Sequence, residues 1–448
     1  MPRSGGSIAR CSMAFIHVHM GLSRRALARV YVEVYGCSAN QADAEIASGL
    51  LAEAGHTLVE APEDADVAVI LTCIVKTPTE RKIVRRLGEL RGRRIVVAGC
   101  MGKAQMGLVE ESAPGASVVG PDDVARIPEA VEVAASGGRV VFLSGSSPDR
   151  TCLPRERRSG LIHIAPISAG CLGNCAYCIV KVARGRLYSF PVEGILEDAR
   201  AAIASGCKEV WVTAEDTAAY DYQGVKLPTL LRRLCGLEGD FMVRVGMMTP
   251  NSALPIFDDL ADAFRHEKMF KFLHAPVQSG SDGVLARMRR RYTVAEFKEL
   301  VTRFREELQG VGVATDIICG FPGETYEQFA ESLRLIEWLR PDMLNINRFW
   351  PRPGTEAAAM LDGFPSRVTK ERSRILDELW WRLNADINNA WVGWEGPIFI
   401  DKVGHSGFKE GRTGSYKAVV VKTRRKLGSW VMVRVTEAAK GYLVAEEA

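Results

Sequence analysis

Three cysteines crowd into eight residues, Cys171-Leu172-Gly173-Asn174-Cys175-Ala176-Tyr177-Cys178, at spacing C-x3-C-x2-C. So tight a run confines the chain to a wrapped loop whose thiols face one centre. Thiolates are the ligands that iron–sulfur clusters take, and a 4Fe–4S cubane held by three of them keeps one iron open. An open iron can bind a small molecule and react with it, so the count points to catalysis rather than support. Gly170 and Gly173 permit the turns such a loop needs. Zinc is the competing reading, but it wants a fourth ligand, and His163 lies on a strand expected to point elsewhere.

The loop follows a predicted strand at 161–167. Further strands at 209–214, 241–247, 271–277, 313–319 and 343–349 alternate with helical stretches such as Gly194–Ser205, Ala295–Leu308 and Tyr326–Leu339. Six βα units fit a partial barrel, since a closed one takes eight. Catalytic groups of barrels sit at the carboxyl ends of strands, where this loop falls. Upstream, strands Tyr31–Tyr35, Val67–Leu71 and Arg94–Ala98 alternate with helices Gln41–Ala54 and Thr79–Arg91, predicting a doubly wound parallel sheet. Downstream, Pro397–Val403, Ser415–Val421, Trp430–Val435 and Gly441–Ala445 read as the strands of a small all-β barrel. The expected division is a basic extension at 1–29, an N-terminal domain at 30–148, a core at 149–390 and a tail domain at 391–448. Residues 144–158, rich in Gly, Ser, Pro and Arg, read as a linker.

Eleven cysteines in 448 residues are too few and too unevenly spaced for a disulfide scaffold, which favours a reducing, cytoplasmic setting. No apolar run is long enough to span a membrane. Residues 1–29 hold five arginines and no acidic residue. Their apolar part, Ser12–Met20, is short and broken by His17 and His19, unlike a signal peptide. The extension is read as disordered, or as an upstream start with Met13 or Met20 as the true beginning. The tail 391–448 carries ten Lys and Arg against six Asp and Glu, a basic surface suited to phosphates.

Cys37, Cys73 and Cys100 are far apart in sequence, yet each follows one of the three N-terminal strands. Loops at the carboxyl ends of an open parallel sheet converge on one crevice, so the three are plausible neighbours. Position alone reads them equally well as small buried residues.

The C-x3-C-x2-C loop with Tyr177 before its last cysteine resembles the radical S-adenosylmethionine superfamily. Leu273–Asp282, Thr315–Thr325 and Arg348–Thr355 look like its methylthiotransferase branch, as do Tyr35–Asn40, Leu71–Cys73 and Ala98–Met101. The resemblance implies that Cys171, Cys175 and Cys178 hold a 4Fe–4S cluster whose open iron chelates S-adenosylmethionine, which is cleaved to a 5′-deoxyadenosyl radical. It implies a second 4Fe–4S cluster on Cys37, Cys73 and Cys100, to which the transferred sulfide is attached. It makes Tyr177, Asp216, Thr217, Arg244, Gln278, Ile318 and Gly320 candidate cofactor contacts. Two positions depart from the family pattern. Glu215 stands in Ala-Glu-Asp-Thr where the branch usually has Gly-Gln-Asp-Thr, and Leu71 stands where Asn is common.

The basic tail resembles a TRAM domain. Lys422, Arg424, Arg425 and Lys426 would then contact RNA phosphates, and Tyr416 and Trp430 would stack on bases. The arginine-rich helix around Arg81, Arg85, Arg86 and Arg91 would extend that footprint. The closest likeness is to the archaeal and eukaryotic type, which modifies N6-threonylcarbamoyladenosine of tRNA beside the anticodon and requires a low-potential electron donor. The alternatives are the same chemistry on isopentenyl-adenosine or on a ribosomal-protein aspartate, and a non-enzymatic iron–sulfur RNA-binding protein.

Overall fold

The computed structural model describes residues 27–145, 149–360 and 366–448. Most of the expected basic extension, 1–26, lies outside the described residues. The first unit carries six parallel strands: β1 (Arg29–Val34), β2 (Thr57–Val59), β3 (Val67–Thr72), β4 (Arg94–Gly99), β5 (Ser117–Val119) and β6 (Val141–Phe142). Their order is β2-β1-β3-β4-β5-β6. The reversal between β1 and β3 is the switch point at which open sheets bind ligands. Strand β3 reads VAVILT and is buried throughout, as a central strand with helices on both faces must be. Leu51, Val69 and Ile127 pack on one face, and Ile70, Ile83 and Leu87 on the other. The three strands absent from the sequence reading span only two or three residues each, too short to show a period.

The second unit carries β7 (Ile162–Pro166), a ribbon of β8 (Ser168–Ala169) with β9 (Tyr188–Ser189), and β10 (Glu209–Thr213). A hairpin of β11 (Asp221–Tyr222) and β12 (Val225–Lys226) follows, then β13 (Met242–Val245), β14 (Phe272–His274), β15 (Gly312–Cys319) and β16 (Met343–Arg348). The six expected barrel strands form two parallel triplets, β13-β10-β7 and β14-β15-β16, joined by a bridge between Val243 and Met269. Strand β14 stops short of the expected 277 because Pro276 has no N–H to donate. Two helices open with capping boxes, Thr293 with Glu296 and Thr325 with Gln328.

The expected linker is packed structure where it is described. Arg150 is 1% exposed. A Cβ on Gly49 would come within 2.4 Å of the Pro154 carbonyl carbon, so 154–155 lies directly on the helix Ser38–Glu53.

The tail closes into a five-stranded barrel of β17 (Glu395–Val403), β18 (Phe408–Arg412), β19 (Ala418–Lys422), β20 (Trp430–Ala439) and β21 (Tyr442–Glu447), in order β17-β18-β19-β21-β20. Strand β18, FKEGR, escaped the sequence reading because it has no apolar alternation. Phe399 and Tyr416 leave this small barrel and join Leu161, Met242, Phe270 and Phe272 beneath the central barrel. Tyr416 meets Phe270 at 4.8 Å and Phe272 at 5.3 Å between ring centroids. Lys417 pairs with Asp342 at 2.8 Å beside this floor. The expectation that Tyr416 stacks on bases is therefore corrected, because its ring is buried against the core. Trp430 remains 37% exposed. Replacing Tyr416 with Ala should lower unfolding free energy by about 3 kcal/mol, read by chemical denaturation; a loss below about 1 kcal/mol would show that the floor contact contributes little.

Candidate active site

The loop from Cys171 to Cys178 leaves β8 at Gly170, whose φ of 72° and close approach to Arg186 admit no side chain. A Cβ on Gly173 would lie 3.2 Å from Cys171 Sγ and 3.7 Å from Cys175 Sγ, so that glycine fills the space between two thiols. The Gly173 amide donates to Cys171 Sγ at 3.2 Å, and Lys181 Nζ holds the Gly173 carbonyl at 3.0 Å. Burial pushes the Cys171 thiol up and that of Cys178 up to about 11, so loading a metal there must displace protons. Among the described residues, no three His, Cys, Asp or Glu side chains converge on a single metal ion. Three thiolates on different irons of one cluster do not have to, so the residues present fit a cluster.

Cys37, Cys73 and Cys100 follow β1, β3 and β4, and the fold brings them together. A Cβ on Gly36, φ 111°, would lie 2.9 Å from Cys73 Sγ. Asn40 Nδ2 donates to the carbonyls of Tyr35 and Thr72, both at 2.8 Å, tying the first two cysteine loops. Thr72 Oγ1 donates to Ala98 O at 2.7 Å and accepts from Met101 N at 3.1 Å, tying in the third. Burial raises the Cys73 thiol and pushes that of Cys100 up to about 12 against the pull of Arg184.

Arg184 links the two sets. It ends the short helix Val180–Arg184 that begins just after Cys178, and it crosses to the N-terminal sheet. Its Nη2 donates to Asn40 Oδ1 and Asp43 Oδ2, each at 2.8 Å. Arg150 Nε reaches the other Asp43 oxygen at 2.6 Å, and Glu215 lies 3.7 Å from Arg184 Nε. Burial alone would raise the Asp43 carboxyl, but the two guanidiniums overcome it and hold it below its ordinary value. On the other side of the sheet, Arg352 pairs with Glu80 and donates to Thr77 Oγ1 at 3.0 Å, a second clamp between the units.

The remaining candidates separate. Tyr177 and Ile318 share one apolar cluster with Ala176, Phe321 and Phe349. Gly320 lies against Thr369, its amide donating to Glu324 Oε2 at 3.0 Å. Gln278 adopts φ 74° and bridges to Ile317. Asp216 accepts from Thr249 Oγ1 at 2.6 Å, Thr249 N at 3.2 Å and Ser252 Oγ at 2.8 Å, and Thr217 Oγ1 donates to Met247 O at 3.0 Å. Arg244 does not join the thiols. Its guanidinium stands 5.2, 5.4 and 5.0 Å from the rings of Trp211, Phe272 and Tyr416, toward the barrel floor. The guanidinium beside the cysteines is Arg290, which sequence reasoning missed: Nη1 lies 3.4 Å from Cys175 Sγ, and Nε donates to Tyr292 at 2.8 Å. The only sequence signal for it is the arginine-rich run 287–291.

Lys422, Arg424, Arg425 and Lys426 are all exposed, and none forms an ion pair among the described residues. The basic helix Thr77–Glu89 is partly neutralised, with Arg85 and Arg86 paired to Glu89 and Glu33. Because the folded Asp43 pKa is depressed, its contribution is present above the ordinary value of 3.8 and is lost as pH falls through the folded value. Asp43→Asn should cost about 3–5 kcal/mol and flatten that acid limb, and an unchanged denaturation midpoint would contradict the network.

Family models match the chain in three places: the Radical SAM superfamily at residues 165–336, uncharacterized protein family UPF0004 at 29–120 and the TRAM domain at 392–446. The first implies a 4Fe–4S cluster and S-adenosylmethionine. A solved radical S-adenosylmethionine methyltransferase from Kitasatospora setae superposes with TM-score 0.54 at 14% identity, covering 86% of this chain and 81% of that one, which shows the shared fold. A probable threonylcarbamoyladenosine tRNA methylthiotransferase of Methanothermobacter thermautotrophicus is 43% identical over 93% of this chain and 99% of its own. The Drosophila melanogaster threonylcarbamoyladenosine tRNA methylthiotransferase is 38% identical over 93% of this chain and 77% of its own. With identity at this level over nearly the whole chain, the protein belongs to the threonylcarbamoyladenosine tRNA methylthiotransferase family.

Proposed function

We propose that this chain is an enzyme that converts N6-threonylcarbamoyladenosine of tRNA, beside the anticodon, to its 2-methylthio derivative. The observation that carries the reading is Arg184, which ends the helix after the first cysteine loop and pairs with Asn40 and Asp43 of the N-terminal sheet, beside Cys100 of the second set. The names of the relatives and the TRAM match support an RNA acceptor.

Cys171, Cys175 and Cys178 would hold one 4Fe–4S cluster, and Cys37, Cys73 and Cys100 a second. With S-adenosylmethionine bound, such a site supplies one-electron cleavage of a sulfonium, while the second site supplies the sulfur. The residues around them do the positioning. Arg290, held by Tyr292 and the Pro276 carbonyl, is placed to meet the cofactor carboxylate. Tyr177, Gln278, Ile318 and Gly320 would take the adenine side of the cofactor, with Tyr177 fixed edge-on to Phe321 at 6.4 Å. Asp216 and Thr217 are engaged by the loop that follows β13, through Thr249, Ser252 and the Met247 carbonyl, so they tie two strand ends together rather than reach outward. Arg184 fixes the spacing between the two sets and places positive charge beside Cys100.

Lys422, Arg424, Arg425 and Lys426 would hold phosphates, giving affinity without sequence preference. The domains are taken as 30–148, 149–390 and 391–448. The reaction needs a low-potential electron donor and belongs in a reducing cytoplasm. Anaerobically reconstituted protein should bind about eight irons per chain, falling to about four in Cys37→Ala. A value near four that survives that substitution would remove the second cluster. Nucleoside mass spectrometry of tRNA from a deletion strain should show loss of 2-methylthio-threonylcarbamoyladenosine; an unchanged level would overturn the acceptor.

A further inference from the structure

One wall of the barrel lumen is polar. On β15, Ile317 and Cys319 pack into the outer core, so Asp316 and Ile318 face inward. The parallel register pairs Asp316 with Asn345 and Ile318 with Asn347, which turns both asparagines into the lumen. Leu344 and Ile346 pack on the outer core, as the alternation requires. Strand β14 adds His274, whose Nε2 lies 2.7 Å from Asp316 Oδ2. Barrel interiors are ordinarily filled with bulky apolar side chains.

These groups have unused hydrogen-bonding capacity. Among the described residues the Asn345 side chain makes no hydrogen bond, and Asn347 makes one, at 3.4 Å to the Asn345 carbonyl. Both are half-buried in a lumen whose floor is shut by Phe270, Phe272 and Tyr416. Their free polar positions are open to water in the unliganded protein, and a bound ligand that displaces that water must supply partners in its place. The level is also informative. Ile318, opposite Asn347, packs with Ala176 and Tyr177 of the cysteine loop, so Asn347 stands beside the reaction centre.

We propose that Asn345 and Asn347, beside the His274–Asp316 pair, form the subsite for the polar N6 substituent of the acceptor adenosine, with Asn347 the main specificity determinant. The proposal rests on the acceptor assigned above. An asparagine side chain both donates and accepts, matching the carbamoyl, hydroxyl and carboxylate groups of a threonylcarbamoyl chain. Asp316 is engaged by His274, which leaves the neutral amides to meet the carboxylate. An alkenyl substituent would leave the same amides desolvated and unpaired, so discrimination against it is large.

The test compares two anticodon stem-loop RNAs, identical except for threonylcarbamoyl or isopentenyl on the adenosine, binding to the reconstituted full-length protein. Phosphate contacts are common to both, so the ratio of the two Kd values isolates the N6 group. Asn347→Leu should shrink the preference for the threonylcarbamoyl RNA at least tenfold, and Asn345→Ala should shrink it less. Circular dichroism confirms that each variant keeps its fold, and a folded Asn347→Leu that leaves the ratio standing would overturn the subsite. If the native protein modifies the threonylcarbamoyl RNA but its preference survives Asn347→Leu, the subsite fails and the acceptor reading stands. If the native protein has no preference and no activity on that RNA, the acceptor reading fails and the subsite with it.

Discussion

A single buried carboxylate decides how the two α/β units meet. Asp43, on the first helix, takes Arg150 on one oxygen and Arg184 on the other, and all three side chains are almost wholly removed from water. Charges desolvated like this are tolerable only with close geometry and with the remaining donors and acceptors satisfied. Asn40 supplies part of that, accepting from Arg184 while its own amide fastens the loops of Cys37 and Cys73. The spacing of the two cysteine sets is thus fixed by charges that cannot move apart without exposing one another. Apolar packing crosses the same junction, where Ile179 and Ala183 of the second unit join the core on one face of the N-terminal sheet.

The barrel separates functions along its axis. Its carboxyl ends carry the cysteine loop, Arg290 and the junction with the N-terminal sheet. Its amino ends are shut by the tail barrel through Phe399 and Tyr416, with Arg244 stacked among the rings. Closure of the floor leaves the carboxyl end of the lumen facing the cysteine loop. It also fixes the tail barrel rigidly, so its exposed Lys422–Lys426 strip stands at a set place relative to that opening.

Much of this was legible in the sequence, and what was not has a physical reason. The six cysteines draw notice by local spacing or by following strands, and β3 and β4 stand out as apolar, β-branched runs. Nothing local assigns Arg184 and Arg290 their roles, because the partners that define them, Asp43 and Cys175, lie more than 100 residues away in the chain. Arg244 and Tyr416 differ from the sequence reading for a related reason: an arginine on a strand and a tyrosine in a basic tail suggest ligand contacts until the docking of one unit on another stacks them together among aromatic rings. The 144–158 segment has a linker's composition, yet Arg150 within it completes the central ion network.

The central claim is that both cysteine sets carry clusters and that the Arg184 junction holds them close. Electron paramagnetic resonance of the fully reduced, reconstituted protein tests this most directly. The account predicts two paramagnetic clusters whose spins relax and split one another, with the interaction vanishing when either set is replaced by alanine. A spectrum that is the plain sum of two isolated clusters, or of one cluster alone, would contradict it.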